Sequence, residues 1–348
     1  MKKFLIALVL LLGVIFVYLS FSEVELIFTI LRRGNWYFIL GAALLSFAWL
    51  LNLGATYRAI YRAMGMKEDF LRLFLLSSAG FFMNVVTPSA GASTLALYVR
   101  DGGRRGLPSG RITAAMAVFL LLDYVGLLAA VTLGLAVLVR RNNITWAEIT
   151  ASAILLIIAI FLASVLYVGS YGKEVFGKSL AWLARGINRL LRLFNRKRDY
   201  LSVARAYSFA DEASEGIVAL RQNPKGLTLP VILALNNKAI LILILWLVFL
   251  AFKVPYSAGT VVAGFSIGYM FVIVSPTPFG IGVVEGVLPL TLRTLRVPFE
   301  MATVSTLAFR GLTFWLPLLT GMFSFRKLIA EESGSRSDLN ANHGIKQE

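Results

Sequence analysis

Two long apolar stretches of this 348-residue chain are each broken near the middle by a Thr-Pro step and glycine, and each precedes an apolar run carrying a charged residue. The first break reads Thr87-Pro88-Ser89-Ala90-Gly91; a basic stretch follows, then a run holding Asp123 and, eleven positions on, Gly134. The second reads Thr277-Pro278-Phe279-Gly280; a short polar stretch follows, then a run holding Arg310 and, again eleven positions on, Gly321. In hydrocarbon no water is available to satisfy backbone N–H and C=O groups, so such runs must be helical and their breaks must be buried or line a wet cavity. Paired interruptions in corresponding places of two halves are the pattern of a membrane transporter whose broken helices surround a midplane site.

Composition agrees with that constraint. Hydrophobic residues make up 58% of the chain and charged residues 15%, so the organisation is read from apolar runs long enough to cross a bilayer, about 20 residues each, and not from soluble-domain lengths. Cysteine is absent, which excludes disulfides and thiolate chemistry. The single histidine, His343, lies in a polar tail, so a histidine base, a His/Cys metal site and a Ser-His triad are excluded from the apolar body, and no cofactor is expected. The formal charge of +16 fits the excess of Lys and Arg beside cytoplasmic membrane ends. No aromatic-basic motif accompanies it, so nucleic acid is not an expected partner.

The runs can be placed along the chain. Lys2 and Lys3 precede an apolar run from Phe4 to Phe21, read as a retained first helix because Ser20-Phe21-Ser22 is not a small-x-small cleavage site. Residues 22–35 suit a short interfacial helix, and residues 36–57 a second span. Residues 70–97 are apolar but broken at Asn84, Pro88, Ser89 and Gly91, with basic residues at both ends, which predicts a re-entrant hairpin. Spans are expected at 112–139, 147–169, 227–252 and 301–325, with a second broken hairpin over 257–296. The polar insertion at 171–226 holds eleven Lys/Arg against five Asp/Glu. Within it Leu180, Leu183, Ile187, Leu190, Leu191 and Phe194 share one helical face opposite Arg185, Arg189, Arg192 and Arg196. That pattern suits an anionic membrane surface and equally a helix packed on the rest of the protein with its charges in solvent. The domain reading is a transmembrane unit over 1–327, with repeats at about 70–140 and 257–325, and a disordered cytoplasmic tail at 328–348.

Charge sets the expected orientation. With both termini in the cytoplasm, the cytoplasmic segments hold 25 Lys/Arg and the outer segments seven. The hairpins then enter from opposite sides, and the expected fold is an all-α polytopic membrane protein with two oppositely oriented re-entrant hairpins, an inverted repeat.

Four ionisable residues fall at or near the middle of apolar sequence: Asp123, Lys238, Glu285 and Arg310. A charge at that depth costs a few kcal/mol or more, so it faces a cavity or a partner. The four are compatible with buried pairs that hold a bundle together, and with a site in which the cations bind an anionic headgroup while the acids orient them or exchange protons. Half-helix N-termini after the breaks offer free N–H groups to an anion, which adds Asn84, Pro88, Gly91 and Ser93 in the first copy and Pro278, Gly280 and Gly282 in the second. Glycine-rich breaks also serve tight helix packing.

At Pro276-Thr277-Pro278 through Glu285, at Arg310 to Gly321, and at Asn84 to Gly91 followed by Asp123, the chain resembles the lysylphosphatidylglycerol synthase transmembrane family, flippase-like membrane proteins. It departs from the family pattern at Phe279, where a second glycine is common, and at Leu120, where an arginine is common three positions before the acid. The second departure leaves Asp123 to pair with Arg310 or Lys238. The resemblance implies translocation of an anionic or aminoacylated lipid, of phospholipid or polyprenyl-phosphate type, without the synthase step of the family's bifunctional members. Two alternatives stand beside it: a membrane enzyme transferring a group to or from a lipid carrier with Asp123 and Glu285 as acid and base, and a non-catalytic partner of a separately encoded transferase. A non-enzymatic protein of the cytoplasmic membrane is the expected reading; the sequence leaves its oligomeric state undecided.

Overall fold

The computed structural model describes residues 25–87, 91–141, 146–179, 181–182, 185, 203–275 and 277–344. The apolar run at 4–21, most of the amphipathic segment at 180–196, and Pro88 lie outside the described residues. All regular structure among the described residues is helical: α1 (residues 25–33), α2 (Trp36–Ala63), α3 (Phe70–Val86), α4 (Ala92–Arg104), α5 (Ser109–Arg140), α6 (Trp146–Gly169), α7 (residues 173–179), α8 (Val203–Gln222), α9 (Thr228–Ala251), α10 (Ala258–Val274), α11 (Val283–Thr294), α12 (Phe299–Arg310) and α13 (Leu316–Gly344). Short 3₁₀ turns at Pro224–Leu227 and Pro278–Gly280 and a π-helical turn at Gly311–Trp315 complete the regular structure among the described residues.

Five described stretches are long and apolar enough to cross a membrane: Trp36–Ala63, Ser109–Arg140, Glu148–Gly169, Pro224–Ala251 and Phe299–Glu331. They coincide with the expected spans because a long apolar run without a break has only one way to satisfy its backbone in lipid. Local capping sets several starts. Asn35 accepts from Tyr37 N at α2, Asp69 from Leu71 N at α3, and Ser257 from Thr260 N at α10. The start of α5 is held from a distance, by Glu212 of α8, whose Oε2 accepts from Gly110 N (2.7 Å) and Ser109 Oγ (3.0 Å). The polar insertion is thus docked on the bundle at α8. The α1 segment buries Ile27 and Ile30, with Ile27 beside Gly311, so one face of this expected interfacial helix packs on the protein.

At each break the chain folds back on itself. In the first copy Arg72 at the start of α3 is ion-paired with Asp101 near the end of α4, Thr94 Oγ1 donates to Gly80 O (2.8 Å), and Ser93 Oγ to Asn84 Oδ1 (3.3 Å). In the second, Gly264 and Gly268 of α10 lie against Leu292 and Leu288 of α11. Both are antiparallel helical hairpins.

The copies also exchange equivalent contacts. Ser78-Ala79-Gly80-Phe81 in α3 corresponds to Ser266-Ile267-Gly268-Tyr269 in α10. Gly134 of α5, which follows the first hairpin, presses on the second: a Cβ there would stand 2.8 Å from Ser266 Cβ, and Ser266 Oγ donates to Ala130 O (2.7 Å). Gly321 of α13, which follows the second hairpin, presses on Ser78 and Phe82 of the first. The two glycines that stand eleven residues after a buried charge therefore have one shared task, close approach to the other copy's hairpin. α2 and α9, which precede the hairpins, run antiparallel, with Asn52 Nδ2 donating to Leu233 O (2.9 Å), Asn236 Nδ2 to Asn52 Oδ1 (3.0 Å), and Asn35 N to Ala251 O (2.9 Å).

α13 runs from Leu316 to Gly344, beyond its apolar part. Near the end of that part Leu328 is buried and Glu331 pairs with Arg72.

Candidate functional site

The hairpins, α2, α5, α9 and α12 enclose a cavity of about 250 Å³. Its wall is mostly apolar and aromatic, with Tyr57, Asn84, Asp123, Asn237, Tyr269 and Arg310 among the polar groups facing it. A largely apolar chamber with a few convergent polar groups is the usual form of a ligand site.

Asp123 comes from the middle of α5 and meets α9. Its Oδ1 accepts from Lys238 Nζ (2.7 Å) and from Asn237 Nδ2 (3.1 Å). Lys238 is 2% exposed and its ammonium also lies 4.3 Å from the centre of the Tyr269 ring, so the cation is enclosed by a carboxylate and a π face. Both donors share one oxygen of Asp123, leaving Oδ2 without a described donor on a side chain that lines the cavity.

The second pair is built by the break in the other hairpin. Gly282, with φ 79°, is the N-cap of α11, and Glu285 at the third position returns a carboxylate oxygen to Gly282 N (2.8 Å), the acidic half of a capping box. The other oxygen takes Arg310 Nε (2.6 Å). Glu285 is thus both helix cap and clamp. Arg310 ends α12 where a π-helical turn begins, a local widening that often marks functional positions. Its guanidinium carbon lies 4.7 Å from the centre of the Phe314 ring, and its Nη2 is buried with no hydrogen-bond partner among the described residues. An unsatisfied buried donor on a charged group is costly, and an anion in the cavity would remove that cost.

The second hairpin's tip reaches the first. Phe279 adopts φ 51°, in the left-handed region where bulky residues are strained, and its ring centre lies 4.3 Å from that of Phe81, the two rings tilted by 38°. Phe314 lies 6.3 Å from Phe279, so three rings from both hairpins and the π turn close this side of the chamber beside Arg310.

Of the residues singled out from sequence, Asn84, Asp123 and Arg310 line the cavity, with Lys238 and Glu285 held directly behind the last two. Gly91, Ser93, Gly280 and Gly282 shape the hairpin tips without lining the chamber; Gly91 has φ 89° and Gly280 φ 70°. Pro278 opens the 3₁₀ turn. Sequence reasoning did not single out Tyr57, Phe81, Tyr269 or Phe314. An aromatic residue inside an apolar run carries no local mark that distinguishes lining from lipid contact. Asn237 did carry a mark, the polar Asn236-Asn237-Lys238 interruption at the midpoint of α9.

The family model describing the lysylphosphatidylglycerol synthase TM region matches residues 4–321. The chain belongs to this family. The matched region of this lysylphosphatidylglycerol synthase TM-region protein contains both hairpins, both ion pairs and the whole cavity wall. No curated protein matches the chain.

Proposed function

We propose that this membrane protein is a flippase that moves an anionic or aminoacylated lipid between leaflets, taking the headgroup into the central cavity. The observation that carries the reading is Arg310: a cavity-lining guanidinium clamped by Glu285 through Nε, with a second nitrogen buried and unspent. A phosphate diester supplies the missing acceptor. The unspent oxygen of Asp123 supports the aminoacylated form, since an ammonium on the same headgroup would find a carboxylate there.

The hairpin dimensions support re-entrance. At 1.5 Å per residue, the 17 residues of α3 and of α10 span about 25 Å, and the 12–13 of α11 and α4 about 18–20 Å, less than a hydrocarbon core of about 30 Å. Entry from opposite faces accounts for the antiparallel relation of α2 to α9 and for the excess of basic residues on one side, which puts both termini in the cytoplasm. Such an arrangement gives alternating access: one hairpin can loosen toward each leaflet while the midplane charges stay in place.

Two measurements test the reading. Purified protein in vesicles is expected to make a fluorescent phosphatidylglycerol in the inner leaflet accessible to an external quencher faster than in protein-free vesicles; equal rates would sink it. Single cysteines placed at Arg104 and Arg296 are expected to react with an impermeant maleimide from opposite sides, and reaction of both from one side would remove the inverted orientation.

A further inference from the structure

A second pocket lies away from the central cavity, around the end of α2 and the turn that leads into α3. It is open, about 550 Å³ in volume, and its charged wall consists of Arg58, Arg62, Lys67, Glu68 and Asp69. The acids are already engaged. Glu68 is held by Arg105 of α4 at 2.8 Å and accepts from Asp69 N, and Asp69 caps α3 by accepting from Leu71 N. The cations are not: Arg58, Arg62 and Lys67 have no acceptor among the described residues, and the Nε of Arg58 is buried without a partner. The turn cannot supply recognition through its backbone, because the N–H groups of Met64, Gly65 and Met66 close onto carbonyls of α2. Three cations without a protein acceptor line one open hollow, Glu68 is offset by Arg105, and Asp69 is the remaining carboxylate, so the wall carries a net positive charge.

We propose that this pocket binds a phosphate group carrying more than one negative charge, by charge-assisted hydrogen bonds from Arg58, Arg62 and Lys67. The site is separate from the central cavity and does not depend on transport occurring. It lies on the same helix as a cavity-lining side chain: Arg62 follows Tyr57 by five residues, about 7.5 Å along α2. Its wall is tied to the first hairpin, because Arg105, which holds Glu68, also approaches Asp101 (3.8 Å), the partner of Arg72. Occupancy of the pocket therefore bears on the base of that hairpin. Phosphate of this charge is presented by a lipid monoester headgroup at the membrane surface or by a soluble phosphate.

The test uses the full chain in nanodiscs of phosphatidylcholine, with and without a small fraction of phosphatidic acid, and separately with inorganic phosphate added to the phosphatidylcholine discs. Binding is read by native mass spectrometry and by the shift in melting temperature. Wild type is expected to retain the probe. R62Q and K67Q, both at exposed positions, are expected to weaken binding roughly tenfold each, about the worth of one charge-assisted hydrogen bond. R310A removes the phosphate contact of the central cavity and is expected to keep the part of the binding that R62Q and K67Q weaken. Retention of phosphatidic acid but not free phosphate assigns the pocket to a lipid headgroup, and the reverse assigns it to a soluble anion. Unchanged binding in R62Q and K67Q, or loss of all binding in R310A, would place the anion elsewhere and overturn the proposal, as would no binding of either probe. Failure here with wild-type lipid movement intact would leave the flippase reading standing.

Discussion

Replacing Arg310 by alanine is expected to lower lipid movement in reconstituted vesicles by roughly 30-fold or more, while the protein still folds. Truncating one member of a buried, hydrogen-bonded charge pair at a binding site costs about 2–5 kcal/mol, and each 1.4 kcal/mol is about tenfold. Folding survives because Glu285 keeps its cap on Gly282 N and its side chain is 18% exposed, so the orphaned carboxylate retains some solvent. Arg310→Lys is expected to fail nearly as completely. The guanidinium reaches Glu285 through Nε and offers Nη2 separately, whereas one ammonium is a point charge that cannot reproduce both directions. Glu285→Ala is expected to abolish movement by a different route, since Arg310 loses its clamp and α11 its cap. Initial rates of quencher access, with circular dichroism as the check on folding, decide the matter. Wild-type rates in a folded Arg310→Ala protein would return this residue to a structural role.

The second large effect is on stability. Asp123→Asn is expected to destabilise the protein by about 3–5 kcal/mol, the usual cost of leaving one member of a buried pair without its counter-charge. Lys238 is 2% exposed and the Tyr269 ring alone does not replace a carboxylate at 2.7 Å. Lys238→Met removes the cation and strands Asp123 instead; that side chain is 16% exposed, so the loss is expected to be smaller. Together the two substitutions should recover most of the melting temperature without restoring lipid movement. In a double-mutant cycle, Asp123→Asn and Arg310→Ala are expected to be additive, because Arg310 is engaged by Glu285. Additivity between Asp123→Asn and Lys238→Met would refute the pairing and leave Asp123 as a free carboxylate facing a wet chamber.

Much of this protein is legible residue by residue. A long apolar run is a local property, and in hydrocarbon it has a single backbone solution, so the spans around Trp36, Asp123, Lys238 and Arg310 follow from the chain alone. The breaks are local too: Gly91, Gly280 and Gly282 take positive φ, which is where glycine is least costly. Phe279 is the exception, a bulky residue at φ 51° with an aromatic ring on Phe81 to hold it there.

By itself the sequence determined that the chain is a helical membrane protein with two interrupted hairpins, and that Asp123, Lys238, Glu285 and Arg310 are the groups whose burial demands an explanation. Only the tertiary structure decided how those four sort themselves. Asp123 takes Lys238, 115 positions away, and Arg310 takes Glu285 across a helix cap, because a charge in a low-dielectric interior pairs with whatever opposite charge the packing brings within hydrogen-bond reach. The aromatic wall around them was equally beyond the sequence: Tyr57, Phe81, Tyr269 and Phe314 are apolar-run residues until the hairpins fold back and turn those particular faces toward one another.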